Sequence, residues 1–325
     1  MKFLFIFLDG VGLGCDDPDI NPFIRAAMPT MDHLLLGKKI IANDHHNPTN
    51  DRLILVNNDQ ASLIALDACL GIDGIPQSAS GQASLMTGRN VSAILGFHEG
   101  PKPNPAIINI LEEGSLFSDL SQRDFRSTLV NAYPPRYFES IETGYKLPGV
   151  IALSASLAGI QLKTLDDLYR GEAISADFTG QGWRDRLGFI DAPLLTLNEA
   201  GERIYNLSRG YDLTLFEYWI TDIAGHQQDM QSAIDLLEMF DIVLGSLIRS
   251  WNGNEGLILI TSDHGNLEDL STRRHTRNEV PLLLIGTSAH RNRFIAELQR
   301  VKGMREKFNL ADINPAMISL LGNFK

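Results

Sequence analysis

Short apolar runs that stop at an acidic residue or a glycine constrain the fold of this chain more than any other feature. The runs are Phe3–Leu8 before Asp9, Leu213–Ile220 before Thr221 and Asp222, Leu257–Ile260 before a segment that reaches Asp263 and His264, and Pro281–Ile285 before Gly286. Runs of this length, apolar on successive residues, are typical of central strands in a parallel sheet that is covered on both faces. The pattern therefore predicts an α/β protein.

A strongly periodic segment separates two of these runs. Between Gln231 and Arg249, apolar residues recur at spacings of three and four, which predicts an amphipathic helix. The order strand, helix, strand implies a right-handed crossover and a layered α/β sheet. Two further helices are predicted near the carboxyl terminus, over Asn292–Lys307 and Pro315–Leu321.

The middle of the chain has a different character. After Asn104 the apolar periodicity weakens, while prolines, glycines and scattered basic residues become more frequent. We predict a discontinuous catalytic core over 1–104 and 206–325 and an inserted cap, or substrate region, over 105–205. The alternative is that this stretch continues the same sheet.

Composition excludes several classes of protein. The chain has 28 Lys and Arg against 40 Asp and Glu, a formal net charge of -12, so a nucleic-acid partner is not expected. No run approaches the ~18 apolar residues of a membrane-spanning helix, so no membrane partner is expected either. Two cysteines, Cys15 and Cys69, exclude a disulfide framework and a cysteine-based zinc motif and favour a cytoplasmic location. Oligomeric state is not predictable.

Two stretches near the amino terminus invite other interpretations. The apolar run after Lys2 is six residues long and no small-residue cleavage site follows it, so we interpret it as a buried strand rather than a signal peptide. The polar stretch Asn43–Arg52 is predicted to be a solvated loop. Its histidines, His45 and His46, are not expected to be metal ligands.

Carboxylates and imidazoles gather where the predicted strands end. Asp9, Asp222, Asp263 and His264 all follow apolar runs, and ligand sites in open α/β sheets lie beyond the carboxyl ends of strands. His226 follows Asp222 by four residues, a spacing that brings both side chains to one side of a helical turn. With His275, ahead of the last run, the set holds three carboxylates and three imidazoles. This set predicts a site for two divalent metal ions, Mn or Zn.

A nucleophile is expected in the small-residue segment from Gln77 to Arg89. Its residues indicate a short helix whose first backbone N–H groups, together with Arg89, would bind an anionic ester. A serine hydroxyl is a weak nucleophile that a metal ion activates. Spacing alone does not distinguish Ser78, Ser80 and Ser84.

Taken together, these motifs resemble the alkaline phosphatase superfamily, and most closely its metalloenzyme branch of cofactor-independent phosphoglycerate mutase and phosphopentomutase. The resemblance covers roughly 1–100 and 210–325 but not the middle. It implies a three-layer core with a mostly parallel sheet. In that family the nucleophile lies ten residues before a closing glycine, here Gly88, which selects Ser78. The resemblance further implies that Asp9, Ser78, Asp263 and His264 hold one metal ion, and Asp222, His226 and His275 the other.

The implied activity is phosphoryl transfer from a small phosphorylated substrate through a phosphoserine. Transfer to water gives a phosphomonoesterase and transfer to a substrate hydroxyl gives a phosphomutase, and the sequence does not separate the two. Gln82 departs from the mutases, which usually have histidine there. The alternatives are a phosphodiester or phosphonate hydrolase on the same core, or a non-catalytic, metal-stabilised binding protein.

Overall fold

A central sheet with helices on both faces carries the fold. The computed structural model describes residues 1–42 and 53–322, so Asn43–Arg52, with His45 and His46, lie outside the described residues. The strands are β1 (Lys2–Leu8), β2 (Ile54–Asn57), β3 (Ala61–Leu66), β4 (Ser127–Leu129), β5 (Leu213–Tyr218), β6 (Gly256–Thr261) and β7 (Val280–Ile285). They form one seven-stranded sheet in the order β2-β3-β7-β6-β1-β5-β4.

Five of the seven strands run in one direction, which agrees with the predicted mostly parallel sheet. β1 pairs in parallel with β5 and β6, and β4 pairs in parallel with β5. β7 instead runs antiparallel to both β6 and β3, and β2 runs antiparallel to β3. The expectation that Pro281–Ile285 forms a parallel strand is therefore wrong. The start of β7, not its end, lies at the edge of the sheet where β1, β5 and β6 finish.

Alternation along β1 shows how the sheet divides the core into two layers. Leu4, Ile6 and Leu8 belong to a cluster on one face, which also holds the buried side of the long helix near residue 240. Phe3 and Phe5 belong to the cluster on the other face. Because both faces are covered, nearly every residue of the central strands is apolar, as the short runs indicated.

Fifteen α-helices occur in the described ranges. They are α1 (Pro22–Arg25), α2 (Pro29–Leu34), α3 (Ser78–Thr87), α4 (Val91–Leu95), α5 (Pro105–Glu113), α6 (Leu116–Ser121), α7 (Pro135–Glu142), α8 (Val150–Leu157), α9 (Leu165–Arg170), α10 (Gln181–Asp185), α11 (Leu197–Ser208), α12 (Ile220–Gln227), α13 (Met230–Ser250), α14 (Ser288–Lys302) and α15 (Ile313–Gly322). A 3-10 turn, Leu310–Asp312, precedes α15. Among these helices we find none with both the length and the apolar character needed to cross a membrane.

The strongly periodic segment forms α13, within one residue of its predicted limits. Asp229 caps its amino terminus by accepting hydrogen bonds from the backbone N–H groups of Gln231 and Ser232. The helix predicted over Asn292–Lys307 begins earlier, at Ser288, because Thr287 caps it, and ends at Lys302 because Gly303 follows with a positive φ of 58°. The sequence prediction identified neither Thr287 as the residue that caps the start of this helix nor Gly303 as the residue that ends it.

The stretch 105–205 contributes to the main core as well as to a smaller cluster of its own. β4 extends the sheet, and Leu116 and Phe117 of α6 pack in the same cluster as Phe3. A separate cluster contains Ala132, Leu168, Ala173, Trp183 and Ala192. The boundaries of a cap within this stretch stay a prediction.

Candidate active site

Two groups of potential metal ligands lie at the edge of the sheet where β1, β5 and β6 end. Asp9, Asp263 and His264 form one group, and Asp222, His226 and His275 form the other. Within each group, one ligand atom per residue lies within 4.8 Å of the others. His275 reaches this edge because β7 is antiparallel, so that the segment before Val280 lies beside the ends of the parallel strands.

The group of Asp9, Asp263 and His264 is deeply buried. The Nε2 atom of His264 lies 3.4 Å from Oδ1 of Asp9 and 3.6 Å from Oδ2 of Asp263. Side chains of Asp263 and His264 are fully buried, and that of Asp9 is 13% exposed. Oδ1 of Asp9 has no hydrogen-bond partner among the described residues, an unfavourable state for a buried carboxylate oxygen that a bound cation would relieve.

Burial also shifts the titration of these three residues. Desolvation, followed by the charge of Asp263, raises the pKa of Asp9 well above its usual value. Desolvation raises the pKa of Asp263 to about 7. Desolvation lowers the pKa of His264 to about 3, so its imidazole is neutral at physiological pH and has a lone pair available for a metal ion. Clustered carboxylates with raised pKa values are the expected state of an anionic cation site without its cation.

The second group is built on α12, one turn beyond β5. Asp222 and His226 are four residues apart, and Oδ2 of Asp222 lies 3.3 Å from Nε2 of His226. His275 completes the group, with its Nε2 atom 3.6 Å from Oδ1 of Asp222. The side chain of His226 is 44% exposed, so this group opens toward solvent while the first group does not.

Backbone carbonyls fix the tautomer of the two imidazoles in the second group. The Nδ1–H of His226 donates to the carbonyl of Arg273 at 2.7 Å, and the Nδ1–H of His275 donates to the carbonyl of Pro76 at 2.9 Å. Each neutral ring therefore carries a lone pair on Nε2, and these two atoms lie 3.2 Å apart. Two facing lone pairs beside a carboxylate repel each other, whereas a divalent cation between them would bind all three groups. The residues present thus fit a metal ion.

The two groups are adjacent. The rings of His264 and His275 stack with their centroids 3.7 Å apart and their planes 13° from parallel. One ring belongs to each group, so cations bound at the two groups would be close neighbours. Such a pair suits the paired-metal arrangement that stabilises phosphoryl transfer.

Ser78 lies beside the buried group, at the start of α3. Its Oγ–H donates to Nε2 of His264 at 3.0 Å. The first backbone N–H groups of a helix have no partners within it, which favours an anion at this position. Gly100 lies against the helix start, where an added Cβ would come within 2.9 Å of Cβ of Gln77 and 3.3 Å of the nitrogen of Ser78.

The other two candidate serines point their hydroxyl groups elsewhere. Oγ of Ser80 accepts from the backbone N–H of Glu99, and Oγ of Ser84 donates to the carbonyl of Ser80 at 2.8 Å. Both hydroxyls therefore stabilise the local backbone. Among the three, the geometry brings Ser78 to the ligand groups.

Arg89 is not brought to the site. It follows the carboxyl end of α3, so the helix separates it from Ser78 by ~15 Å along the axis. Its guanidinium pairs with the carboxylate of Glu113 on the surface. The expectation that Arg89 binds the substrate is wrong, because a segment that begins at the site ends far from it once it becomes a helix.

Gln82 supports the buried group from one turn along α3. Its side-chain amide donates to Oδ2 of Asp263 at 3.0 Å and lies 3.5 Å from Oδ2 of Asp9. A neutral amide therefore stands beside the carboxylates where the resembling mutases usually have histidine. It orients both carboxylates without adding a positive charge.

Close packing around the ligands requires glycine at two positions. Gly10 has a φ of +70°, and a Cβ there would lie 2.7 Å from Oδ1 of Asp222. A Cβ at Gly81 would lie 2.9 Å from the carbonyl oxygen of Asp263. The loop after β1 and the start of α3 can approach the ligands because neither residue carries a side chain.

Sequence reasoning missed the residue that joins the ligand loops. Glu268 is fully buried and accepts hydrogen bonds from the backbone N–H groups of Gly12 and Asn266 at 2.9 and 2.8 Å. It also accepts from the hydroxyl of Thr276 and the amide of Asn278. One partner lies in the loop after β1 and the other three lie along the connection between β6 and β7. No local pattern could have identified the link from Glu268 to Gly12. The side-chain amide of Asn266 donates to Oδ1 of Asp222 at 2.8 Å.

Another buried carboxylate lies near the site, on β5. Desolvation raises the pKa of Glu217 to about 7. The hydroxyl of Tyr133 donates to Oε2 of Glu217 at 3.5 Å, and the amide of Asn131 donates to its carbonyl at 2.8 Å. Tyr133 and Asn131 both belong to the stretch 105–205, so this stretch contacts the sheet next to the ligand groups.

The carboxyl-terminal part of the chain is similar to a known family of proteins. Residues 195–324 match the family model described as Metalloenzyme superfamily. The chain is 30% identical over 122 residues to the 2,3-bisphosphoglycerate-independent phosphoglycerate mutase of Thiobacillus denitrificans, covering 35% of this chain and 21% of that protein. The enzyme of the same name from Synechocystis is 34% identical over 117 residues, with 34% and 21% covered. The match thus spans about a fifth of the length of these relatives.

Two solved structures share the fold over nearly the whole chain. The PH0037 protein from Pyrococcus horikoshii superposes with a TM-score of 0.56 at 16% identity, covering 99% of this chain and 96% of that one. Alkaline phosphatase from the Antarctic bacterium TAB5 gives a TM-score of 0.51 at 11% identity, covering 99% and 97%. The α/β fold is thus that of alkaline phosphatase, as the motifs predicted.

Proposed function

We propose that this chain, which resembles the metalloenzyme branch of the alkaline phosphatase superfamily, is a metal-dependent phosphoryl-transfer enzyme that acts on a small phosphomonoester. The observation that carries the proposal is the position of the Ser78 hydroxyl, 3.0 Å from Nε2 of His264 in the group formed by Asp9, Asp263 and His264. The phosphatase fold and the partial match to phosphoglycerate mutases support the same reaction class.

In this proposal, Asp9, Ser78, Asp263 and His264 hold one divalent ion, and Asp222, His226 and His275 hold another. When bound, such ions supply a Lewis acid that neutralises phosphate charge and lowers the pKa of a bound hydroxyl. The mixed nitrogen and oxygen ligands suit Mn or Zn.

Ser78 is the proposed nucleophile. Its oxygen attacks phosphorus, the bond to the ester oxygen breaks, and a phosphoserine forms. The proton that the serine hydroxyl loses passes to the departing alkoxide, which leaves as the alcohol. The start of α3 lies at Ser78, where the partial positive charge of a helix amino terminus would stabilise the anion. Gln82 keeps Asp9 and Asp263 oriented throughout.

The second half-reaction transfers the phosphoryl group from Ser78 to an acceptor. We infer that the acceptor is water, which makes the enzyme a phosphomonoesterase, because the 44% exposure of His226 leaves the outer group accessible to solvent. Transfer to a hydroxyl of the same molecule would make it a phosphomutase. The stretch 105–205, which touches Glu217 through Tyr133, is the proposed cap that governs this choice.

Assays with purified protein test the proposal. Protein stripped with a chelator and then given Mn²⁺ or Zn²⁺ should release inorganic phosphate from p-nitrophenyl phosphate, and Ser78→Ala should not. Parallel assays for isomer formation with phosphoglycerates and pentose phosphates identify a mutase. Faster turnover of bis(p-nitrophenyl) phosphate than of the monoester would instead favour a phosphodiesterase, and absence of turnover with every metal would favour a binding protein.

A further inference from the structure

One face of α12 combines two proposed metal ligands with two large apolar side chains. Trp219, which precedes the helix, lies three residues before Asp222, and Ile223 lies three residues before His226. Residues separated by three, four and seven positions share one side of a helix, so all four lie along a single stripe. The opposite side carries Thr221, Ala224 and Gly225, which are buried.

The apolar members of this stripe are exposed. Trp219 is 41% exposed and Ile223 is 40% exposed. The side chain of His226, the next member of the stripe along the helix, is 44% exposed. Aromatic and aliphatic side chains of this size gain free energy when a ligand covers them. Their exposure next to functional residues therefore requires a different explanation from that of isolated surface apolar residues.

The two ligand groups differ in accessibility, which fixes where the organic part of a substrate can lie. Asp263 and His264 are fully buried, whereas His226 faces solvent. A phosphate at Ser78 must therefore extend its ester group outward past the Asp222 group, because the inner side is closed by protein. Trp219 and Ile223 share the α12 stripe with Asp222 and His226, the ligands on this open side.

We propose that Trp219 and Ile223 bind the organic group of the substrate and select phosphomonoesters that carry a planar, apolar group over small polyol or glycerate phosphates. The inference deepens the proposed function and rests on it.

Substrate discrimination tests the proposal. We expect 1-naphthyl phosphate to have a higher kcat/KM than glycerol 2-phosphate. Trp219→Ala should lower the ratio of these two kcat/KM values about tenfold, which is the scale on which apolar contacts discriminate substrates. Ile223→Ala should lower it less, and Trp219→Phe should restore most of it because an aromatic ring is retained. Ile242→Ala is the matched control, since Ile242 is 43% exposed on α13, which carries none of the proposed ligands.

Binding provides a readout that needs no turnover. Phenylphosphonate should bind the metal-loaded protein more tightly than methylphosphonate by calorimetry, and Trp219→Ala should remove about tenfold of that preference. Phenylphosphonate should also change the tryptophan fluorescence of the wild type, and Trp219→Phe should abolish that change.

The outcomes separate the two proposals. Absence of ester hydrolysis with an intact phenylphosphonate preference would reject the proposed function and keep the apolar subsite. An unchanged substrate ratio and an unchanged phosphonate preference in Trp219→Ala, with a wild-type melting temperature, would overturn the subsite. A kcat/KM for glycerol 2-phosphate or phosphoglycerate above that of 1-naphthyl phosphate would overturn it as well.

Discussion

The Nε2 atoms of His226 and His275 lie 3.2 Å apart, although a backbone carbonyl accepts the Nδ1–H of each ring. Neither nitrogen can donate to the other while both rings are neutral. The arrangement is favourable when a cation lies between them, so these two histidines are preorganised for a metal ion rather than for each other.

Loss of His226 should therefore reduce metal content. We expect His226→Ala to bind about one divalent ion fewer per chain than the wild type and to lose most activity, because a site with one imidazole removed retains too few ligands. Metal analysis after gel filtration measures the content. His33→Ala, on α2, is the control and should leave it unchanged. Equal metal content in His226→Ala and the wild type would contradict the ligand assignment.

Ser78→Ala should abolish turnover without unfolding the protein. A missing nucleophile costs at least about 10³-fold in kcat in enzymes that form a covalent intermediate. Ser84→Ala is the comparison, since its hydroxyl bonds the backbone and its loss should cost about 1 kcal/mol of stability while activity remains. Rates and denaturation midpoints distinguish the two. Greater loss of turnover in Ser84→Ala than in Ser78→Ala would reject the nucleophile.

Arg89→Ala should have little effect on stability or on turnover. Its partner Glu113 is 65% exposed and Arg89 itself is 41% exposed, and surface ion pairs contribute about 0–1 kcal/mol. We expect kcat and KM to stay within twofold of the wild-type values (about the scatter expected of a remote surface change). A large rise in KM would show that Arg89 reaches the substrate after all.

Metal-free protein should lose stability as pH rises. The folded-state pKa of Glu217 is raised from 4.5 to about 7, so stability is highest below pH 4.5 and falls as pH passes through 7. This difference corresponds to about 3 kcal/mol from Glu217, and Asp263, raised to about 7, acts in the same direction.

Denaturation of chelator-treated protein between pH 5 and pH 8 measures this dependence. Glu217→Gln should make it shallower but not remove it, because the contribution of Asp263 remains. Added divalent metal should stabilise the protein more at pH 8 than at pH 5, because deprotonated carboxylates bind it. Stability of the metal-free protein that rises over this interval would contradict the assigned burial of these carboxylates.

Glu268→Ala should weaken both the fold and the metal site. Four donors, one in the loop after β1 and three in the connection between β6 and β7, would lose their acceptor, which we expect to cost about 2–4 kcal/mol. Divalent-metal affinity should fall about 10- to 100-fold, as it does when groups supporting the ligands are removed. Urea denaturation and metal titration measure these effects. Glu297→Ala, on α14, is a control of the same residue type.

Local patterns predicted the parts of the fold that depend on nearby residues. The central strands and α13 follow from apolar periodicity, and the ligands follow from their positions at strand ends. The direction of β7 could not be predicted, because an apolar run reads alike in either direction. Its antiparallel pairing depends on the connection from β6, which contains no helix.

Features that join distant parts of the chain were beyond sequence reasoning. Glu268 accepts from Gly12, 256 residues away, and no periodicity links the two. Arg89 was misplaced for the related reason that the sequence did not show which end of its helix faces the site. The choice of Ser78 over Ser80 and Ser84 needed a family pattern, and the side-chain directions in the structure agree with it.

Because β7 is antiparallel to β6, one connection between these two strands carries ligands of both metal-binding groups. Asp263 and His264 stand at its beginning and His275 near its end. A shift of this one segment would disturb both ions at once, whereas ligands on independent loops could be lost singly. Loosening of this segment should therefore release both ions together, whereas loss of His226, which lies on α12 outside the segment, should release only one.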